Sequence, residues 1–150
     1  MSLIVQEGDA VAMLRAGRIT ALGHQVNLRG VMGAGIAAQI REEFPIVFDI
    51  YRAAIAAENL QLGDAQPVEV LPGCWIVNLA AQRGTGWGRQ TDYAALTLAL
   101  GRFADFATEH DLRPGLPYGI GCGLGGGHWP TVETLIETTV PQAVLYRLAG

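Results

Sequence analysis

Residues 27–37 read NLRGVMGAGIA, and residues 121–127 read GCGLGGG. Each stretch follows a predicted strand and opens a predicted helix. Glycine lets the backbone approach a ligand closely, and the unpaired N–H groups at a helix N-terminus attract anions. Five glycines in seven residues cost more backbone entropy than a simple turn requires. The pair therefore predicts a diphosphate site built from main-chain amides. A tight strand-to-helix connection is the alternative for each loop.

The hydrophobic pattern around these loops predicts an alternation of strands and helices in the order β-α-β-α-α-β-β-α-β-α-β. Such an order favours an α/β domain with a mostly parallel sheet covered on both faces. Ligands of such sheets collect at the carboxyl ends of the strands, where both loops should lie. The strands are predicted at 3–6, 19–26, 68–71, 75–79, 116–120 and 143–148, and the helices at 10–16, 36–44, 47–59, 93–106 and 130–139.

The composition excludes several classes of function. All ten basic residues are arginine, so a lysine nucleophile, a Schiff base and a Walker lysine are excluded. The net charge of −4 argues against sequence-specific nucleic-acid binding. Cys74 and Cys122 stand outside any zinc-ligand spacing, so we expect neither a metal nor a cofactor. The absence of a long apolar run and of a signal-peptide pattern predicts a cytoplasmic protein with no membrane contact.

A dinucleotide-binding oxidoreductase is the second interpretation of the first loop. Gly33, Gly35 and Ala38 match the spacing of the nucleotide fingerprint. The match follows the second predicted strand instead of the first, however, and the acidic residue expected about 20 residues later is missing. The context therefore favours another phosphate-binding fold.

Taken together, the motifs resemble the macro domain family. The resemblance rests on Gly8-Asp9 after the first strand, residues 26–37 and residues 120–126, and the element order extends it over nearly the whole chain. The sequence is most similar to the branch of terminal ADP-ribose glycohydrolases, macro domain antitoxins and ADP-ribose 1″-phosphate phosphatases. The resemblance implies one three-layer α-β-α domain over residues 1–150, with a mixed, mostly parallel sheet of about six strands, that binds ADP-ribose or an ADP-ribosylated substrate.

The resemblance also assigns binding roles. Asp9 would accept a hydrogen bond from the adenine amino group, or cap the helix that follows. Asn27 would lie beside the distal ribose, and Tyr146 would pack against the adenosine or serve as a core residue. The remaining ligand-binding residues would be Gly33, Ala34, Gly35, Ile36, Gln82, Gly121, Cys122, Gly123, Leu124, Gly125 and Gly126.

Catalysis is the least determined part of the prediction. The glycohydrolases of this branch use a lysine where this chain has Gln82, and some use an aspartate where it has Gly125. A hydrolase without lysine needs a positioned water and a general base. His24, which matches a histidine of the phosphatases, is the candidate base, and Asp92 is the second candidate acid or base.

The alternatives to catalysis are structural. His24 would then be a core histidine, and Asp92 an N-cap of the following helix. Both an ADP-ribosyl or 1″-phosphate hydrolase and a non-catalytic ADP-ribose reader or scavenger stay open. Trp87, on a glycine-rich loop, is predicted to cover the ligand as a lid.

Overall fold

The computed structural model describes residues 3–86 and 88–148, and within them six strands and five helices follow the predicted order. Trp87, the predicted lid, lies outside the described residues. The strands are β1 (Ile4–Glu7), β2 (Ala21–Asn27), β3 (Ala65–Leu71), β4 (Cys74–Gln82), β5 (Pro114–Pro117) and β6 (Val144–Arg147). The helices are α1 (Ala10–Arg15), α2 (Gly35–Glu43), α3 (Pro45–Ala56), α4 (Tyr93–Glu109) and α5 (Trp129–Thr139).

The sheet has the strand order β1-β6-β5-β2-β4-β3. Every neighbouring pair is parallel except β3 and β4, which are antiparallel. The mixed, mostly parallel sheet predicted from the sequence is thereby confirmed. Five strands consequently end at the same edge of the sheet, and the loops that follow them share that edge.

Helices cover the sheet on both faces. One core cluster packs α1, α2 and α3 against the sheet through residues such as Leu14, Ile40 and Tyr51. The other packs α4 and α5 through residues such as Phe103 and Ile136. This arrangement is the expected three-layer α-β-α architecture, and it leaves the carboxyl edge of the sheet uncovered by helices.

The strand bounds differ from the predicted ones by up to three residues, and for β5 and β3 the reason is local. β5 ends at Pro117 instead of residue 120, because the chain turns through positive φ at Gly119 and Gly121. β3 begins at Ala65 instead of residue 68, so it includes Pro67. β3 pairs only with β4, so Pro67 lies on an edge strand, where a missing N–H costs little.

In the part of the chain that the structure describes, no helix has both the length and the apolar character needed to cross a membrane.

Gly23 on β2 tests how tightly the sheet packs beneath α4. A β-carbon at this position would lie 2.8 Å from Leu116 Cδ2 and 3.1 Å from Phe103 Cε2. We expect Gly23→Ala to lower the free energy of unfolding by about 1–3 kcal/mol through overpacking, measured by urea denaturation.

Gly101→Ala is the matched control, because a β-carbon there has no atom within 4 Å and lies in the interior of α4. This variant should be about 0.5–1 kcal/mol more stable than the wild type, owing to the better helix propensity of alanine. Equal effects of the two substitutions would contradict the packing described for β2.

Candidate ligand-binding site

A cavity of about 1390 Å³ lies at the carboxyl edge of the sheet. β2 and β5 are neighbours in the sheet, so the loops that follow them converge on this cavity. Both glycine-rich loops line it, together with residues that follow β1, β4 and β6. Of the residues predicted to bind a ligand, those lining the cavity are Asp9, Asn27, Gly33, Ala34, Gly35, Ile36, Gln82, Gly121, Gly123, Leu124, Gly125, Gly126 and Tyr146.

Asn27 shapes the first loop from within. Its side-chain Oδ1 accepts hydrogen bonds from the amides of Arg29 (2.9 Å) and Val31 (3.4 Å), and its Nδ2 donates to the Val31 carbonyl (2.9 Å). The Tyr51 hydroxyl donates to the Asn27 side chain and carbonyl and accepts from the Gly30 amide. Asn27 therefore organises the loop that contacts a ligand, while its buried side chain is already occupied by protein partners.

The first loop ends in donor groups that have no acceptor among the residues that the structure describes. Ala34 is the N-cap of α2 and makes no side-chain capping bond, so the first-turn N–H groups lack intrahelical acceptors. Gly35 has φ of 57°, a conformation that favours glycine. A β-carbon at Gly33 or Gly35 would meet open space or only the Val31 side chain. These amides are exposed to the cavity and can bind an anion.

The glycines of the second loop serve two different purposes. A β-carbon at Gly125 would lie 2.5 Å from Thr91 Oγ1 and 2.8 Å from the Gly121 carbonyl oxygen. A side chain is therefore sterically excluded at Gly125, the position where some family members carry aspartate. Gly123 is different, because a β-carbon there meets nothing within 4 Å. Packing requires glycine at 125, whereas the bare backbone at 123 faces open space.

A polar network that the sequence analysis missed supports the second loop. Gln25 Nε2 donates to Thr91 Oγ1 (2.8 Å), which in turn donates to the Gly121 carbonyl (2.7 Å). The amide of Thr91 donates to the Gly125 carbonyl (3.0 Å). Gln25, a polar residue on the strand just before the predicted loop, was the available signal. The network holds the second loop, β2 and the segment before α4 in one arrangement.

Asp9 caps the helix that follows it, which was the structural alternative to ligand binding in the sequence analysis. Its Oδ1 accepts from the Ala12 amide at 2.9 Å, which caps α1. Both carboxylate oxygens also accept from Gln39 Nε2 on α2, at 3.1 and 2.9 Å. Asp9 lines the cavity as well, so capping and ligand contact are compatible at this position.

Two tyrosines form the end of the cavity near β5 and β6. Tyr146 is buried, being 5% exposed, and lines the cavity. Tyr118, which the sequence analysis missed, also lines it, and its ring lies 4.7 Å from that of Trp129. The Arg147 guanidinium stands over the Tyr118 ring at 5.1 Å. This end of the cavity offers aromatic surface next to Asp9.

His24 lies outside the cavity lining and is fully buried. Asn78 Nδ2 donates to Gln66, so Asn78 Oδ1 accepts from His24 Nε2 at 2.6 Å, across three strands in register. Burial lowers the pKa of His24 to about 4, against the partial opposition of the Asn78 hydrogen bond. The histidine is therefore neutral at physiological pH and occupies a core ladder. The prediction of a catalytic role finds no geometric support.

Asp92 also lies outside the cavity lining. Its Oδ1 caps α4 by accepting from the Ala95 amide at 2.9 Å, and its Oδ2 pairs with Arg83 at 2.7 Å. The Ala95 hydrogen bond, with a further contribution from Arg83, lowers the pKa of the carboxyl group. The geometry favours the helix-cap interpretation of Asp92 over that of an acid or base. Cys122 is likewise absent from the lining, although both its neighbours belong to it.

Comparisons with known proteins agree with this fold. A protein of unknown function from Bacteroides thetaiotaomicron is 26% identical, with a TM-score of 0.89 and 99% of both chains covered. A macrodomain protein from Streptomyces coelicolor is 29% identical, with a TM-score of 0.81 and 99% of both chains covered. Thermosipho africanus DarTG in complex with ADP-ribose is 24% identical, with a TM-score of 0.76 over 99% of this chain and 42% of that chain.

The fold and the cavity define a three-layer α/β domain with an open cavity at the carboxyl edge of its sheet. These likenesses show, more particularly, that the chain has the macro domain fold, and they support its membership of the macro domain family. No protein-family model matches the sequence. No curated protein matches it in sequence either.

His24 predicts a specific pH dependence of stability. The unfolded chain binds a proton on this histidine below pH 6.5, whereas the folded chain does so only below about pH 4. The contribution of neutral His24 to the free energy of unfolding is thus fully present above pH 6.5, and it is lost as the pH falls towards 4. We expect His24 to contribute a loss of about 1.4 kcal/mol per pH unit in this window.

Urea denaturation of the wild type and of His24→Gln at pH 7 and pH 4.5 measures this contribution. The variant should be less stable at pH 7 but should lose less stability on acidification. Parallel losses in the two proteins would show that the histidine is not buried in its neutral form.

Removing the Tyr51 hydroxyl measures how much this side chain stabilises the first loop. Tyr51→Phe removes a hydroxyl that serves Asn27 and the Gly30 amide. We expect a loss of about 1–3 kcal/mol in the free energy of unfolding, together with faster hydrogen exchange at Gly30 and Val31. Tyr118→Phe is the control, since the Tyr118 hydroxyl makes no hydrogen bond to the described residues. Similar effects of both substitutions would refute the anchoring role.

Proposed function

We propose that residues 1–150 form one macro domain that binds ADP-ribose in the cavity at the carboxyl edge of the sheet. The observation that carries the proposal is the convergence of both glycine loops on this cavity. Within the described part of the chain, the first-turn amides of α2 have no acceptor, and the second loop presents its backbone at Gly123. Backbone amides of this kind bind phosphate oxygens without a lysine.

The dimensions of the cavity suit an elongated ligand. Its lining runs from the end of β1 to the end of β4, which are four strand spacings apart in the sheet. At about 4.8 Å per spacing, this distance is roughly 19 Å. The diphosphate would lie in the middle, over the loops after β5 and β2. Adenine would then lie near Asp9 and Tyr146, and the distal ribose near Asn27 and Gln82.

A relative of known ligand supports this choice of nucleotide. The Thermosipho africanus DarTG structure contains ADP-ribose, and this chain shares its macro domain fold. The branch of terminal ADP-ribose glycohydrolases, antitoxins and phosphatases stays a prediction, as does the cytoplasmic location. At 24% identity, the likeness supports a shared fold, and it does not identify the leaving group of any reaction.

We favour binding without turnover. The candidate base His24 is buried in a strand ladder, and Asp92 is occupied by a helix cap and an ion pair. Among the described residues that line the cavity, Asp9 is the one carboxylate, and it already accepts three hydrogen bonds. Hydrolysis of an ADP-ribosyl group or of the 1″-phosphate stays the second candidate, because the distal end of the cavity contains polar groups such as Gln82 that can hold a water.

Gly123→Glu tests the binding site directly. The new carboxylate would enter the open space beside the diphosphate, so it should clash with the ligand and repel it. We expect ADP-ribose affinity, measured by isothermal titration calorimetry, to fall by at least about tenfold, or about 1.4 kcal/mol. ADP, AMP and NAD in parallel titrations would show whether the distal ribose contributes.

Gly101→Glu is the matched control, because it adds the same side chain on α4, in open space and outside the cavity lining. Its affinity should equal that of the wild type. If both glutamate variants bind ADP-ribose as tightly as the wild type, the second loop does not contact the ligand.

Turnover assays separate the two candidate functions. We expect the wild type to bind ADP-ribose 1″-phosphate, ADP-ribosylated protein and ADP-ribosylated DNA without hydrolysing any of them. The reason is that no described cavity residue is a free general base. Phosphate release and mass spectrometry are the readouts. Release that disappears in a folded His24→Ala variant would overturn this choice and establish the hydrolase.

A further inference from the structure

A second cavity, of about 340 Å³, lies between the first glycine loop and the helices α2 and α3. Val31 lines both cavities, so the two are separated by this short segment of chain. Three arginines line the second cavity, from three different parts of the chain: Arg29 in the loop, Arg41 on α2 and Arg52 on α3. This clustering was not visible in the sequence, in which the three are 11 or more residues apart.

The three cavity arginines are exposed, and within residues 3–86 and 88–148 none of them forms an ion pair with a carboxylate. They share this with four other arginines, whereas Arg15, Arg83 and Arg102 each form an ion pair. What sets the three apart is their position, because a protein with a net charge of −4 gathers them around one cavity. Such a concentration is unfavourable unless solvent or an anionic ligand offsets it.

The aromatic ring of Phe48 organises two of these side chains. The Arg41 guanidinium lies over the ring at 3.9 Å from its centroid, and that of Arg52 lies at 5.9 Å. Arg29 is held separately, by donation from its Nη1 to Thr85 Oγ1 at 2.9 Å. Stacking and hydrogen bonding restrict the rotamers of the guanidinium groups in advance, so less entropy is lost when they bind a ligand.

We propose that Arg29, Arg41 and Arg52 form a binding site for a phosphate group. Planar guanidinium forks match phosphate oxygens bidentately, and several converging forks suit an anion with three or four acceptor oxygens. The apolar surface of Phe48 and Ile55 in the same cavity suits the organic part of a phosphate ester. This site is distinct from the ADP-ribose cavity and does not depend on the function proposed for it.

The arginine side chains themselves provide the readout. The chain has ten arginines and no lysine, so a ¹H–¹⁵N spectrum of the arginine Nε groups contains few signals to assign. Inorganic phosphate is titrated into ¹⁵N-labelled protein, with the main cavity saturated by ADP-ribose and with potassium chloride at matched ionic strength as the screening control. We expect the Nε signals of the three arginines to shift together, with one dissociation constant in the millimolar range.

Arg52→Gln should weaken phosphate binding by about tenfold, because it removes a charge-assisted donor. Arg102→Gln is the control variant, because Arg102 pairs with Asp64 and does not line the second cavity. Its phosphate affinity should be unchanged. Shifts no larger than those of Arg102 itself, or shifts that Arg52→Gln leaves intact, would overturn the proposal.

A second titration identifies the source of the phosphate. A short single-stranded oligothymidylate that shifts the same three signals at concentrations at least about tenfold lower, with strong salt dependence, would identify a nucleic-acid backbone. Comparable concentrations would identify a small phosphate ester. Failure of ADP-ribose to bind would appear in its own calorimetric titration and would leave the arginine readout intact, so the two proposals can fail separately.

Discussion

The parallel pairing of β2 with β5 is the constraint on which the site depends. Parallel neighbours end at the same edge of a sheet, so the two glycine loops that follow them must meet. In the proposed function, backbone amides of both loops bind the diphosphate, in a cavity whose lining also includes Arg89 and Arg147. Under that proposal, the strand order brings the amides of two separate loops to one ligand.

The rigidity of the site comes from side chains that the ligand need not touch. Asn27 and Tyr51 hold the first loop, and Gln25 and Thr91 hold the second. Because the protein itself supplies these hydrogen bonds, the loops are organised before a ligand arrives, and binding orders little additional chain. The glycines divide accordingly: Gly125 is required by packing against this framework, whereas Gly123 leaves the backbone open to the cavity.

The sequence predicted the element order and the sheet, because glycine content and hydrophobic periodicity are local signals. Thirteen of the binding residues named from the sequence line the cavity, and the other lining residues were not named. It did not distinguish the role of His24, since a histidine near the end of a strand has the same sequence context whether it faces a ligand or the core. The register of β2, β4 and β3 supplies this context, because it places Asn78 beside His24 and Gln66 beside Asn78. The clustering of Arg29, Arg41 and Arg52 likewise requires the packing of α2 on α3, which no local pattern specifies.

A crystal structure of the protein with ADP-ribose tests the central claim most directly. The account predicts diphosphate oxygens within about 3 Å of amide nitrogens from both loops, at residues 33–36 and 123–125, with the adenine at the end of the cavity near Asp9. A diphosphate held instead by arginine side chains, or a nucleotide bound away from both loops, would contradict it.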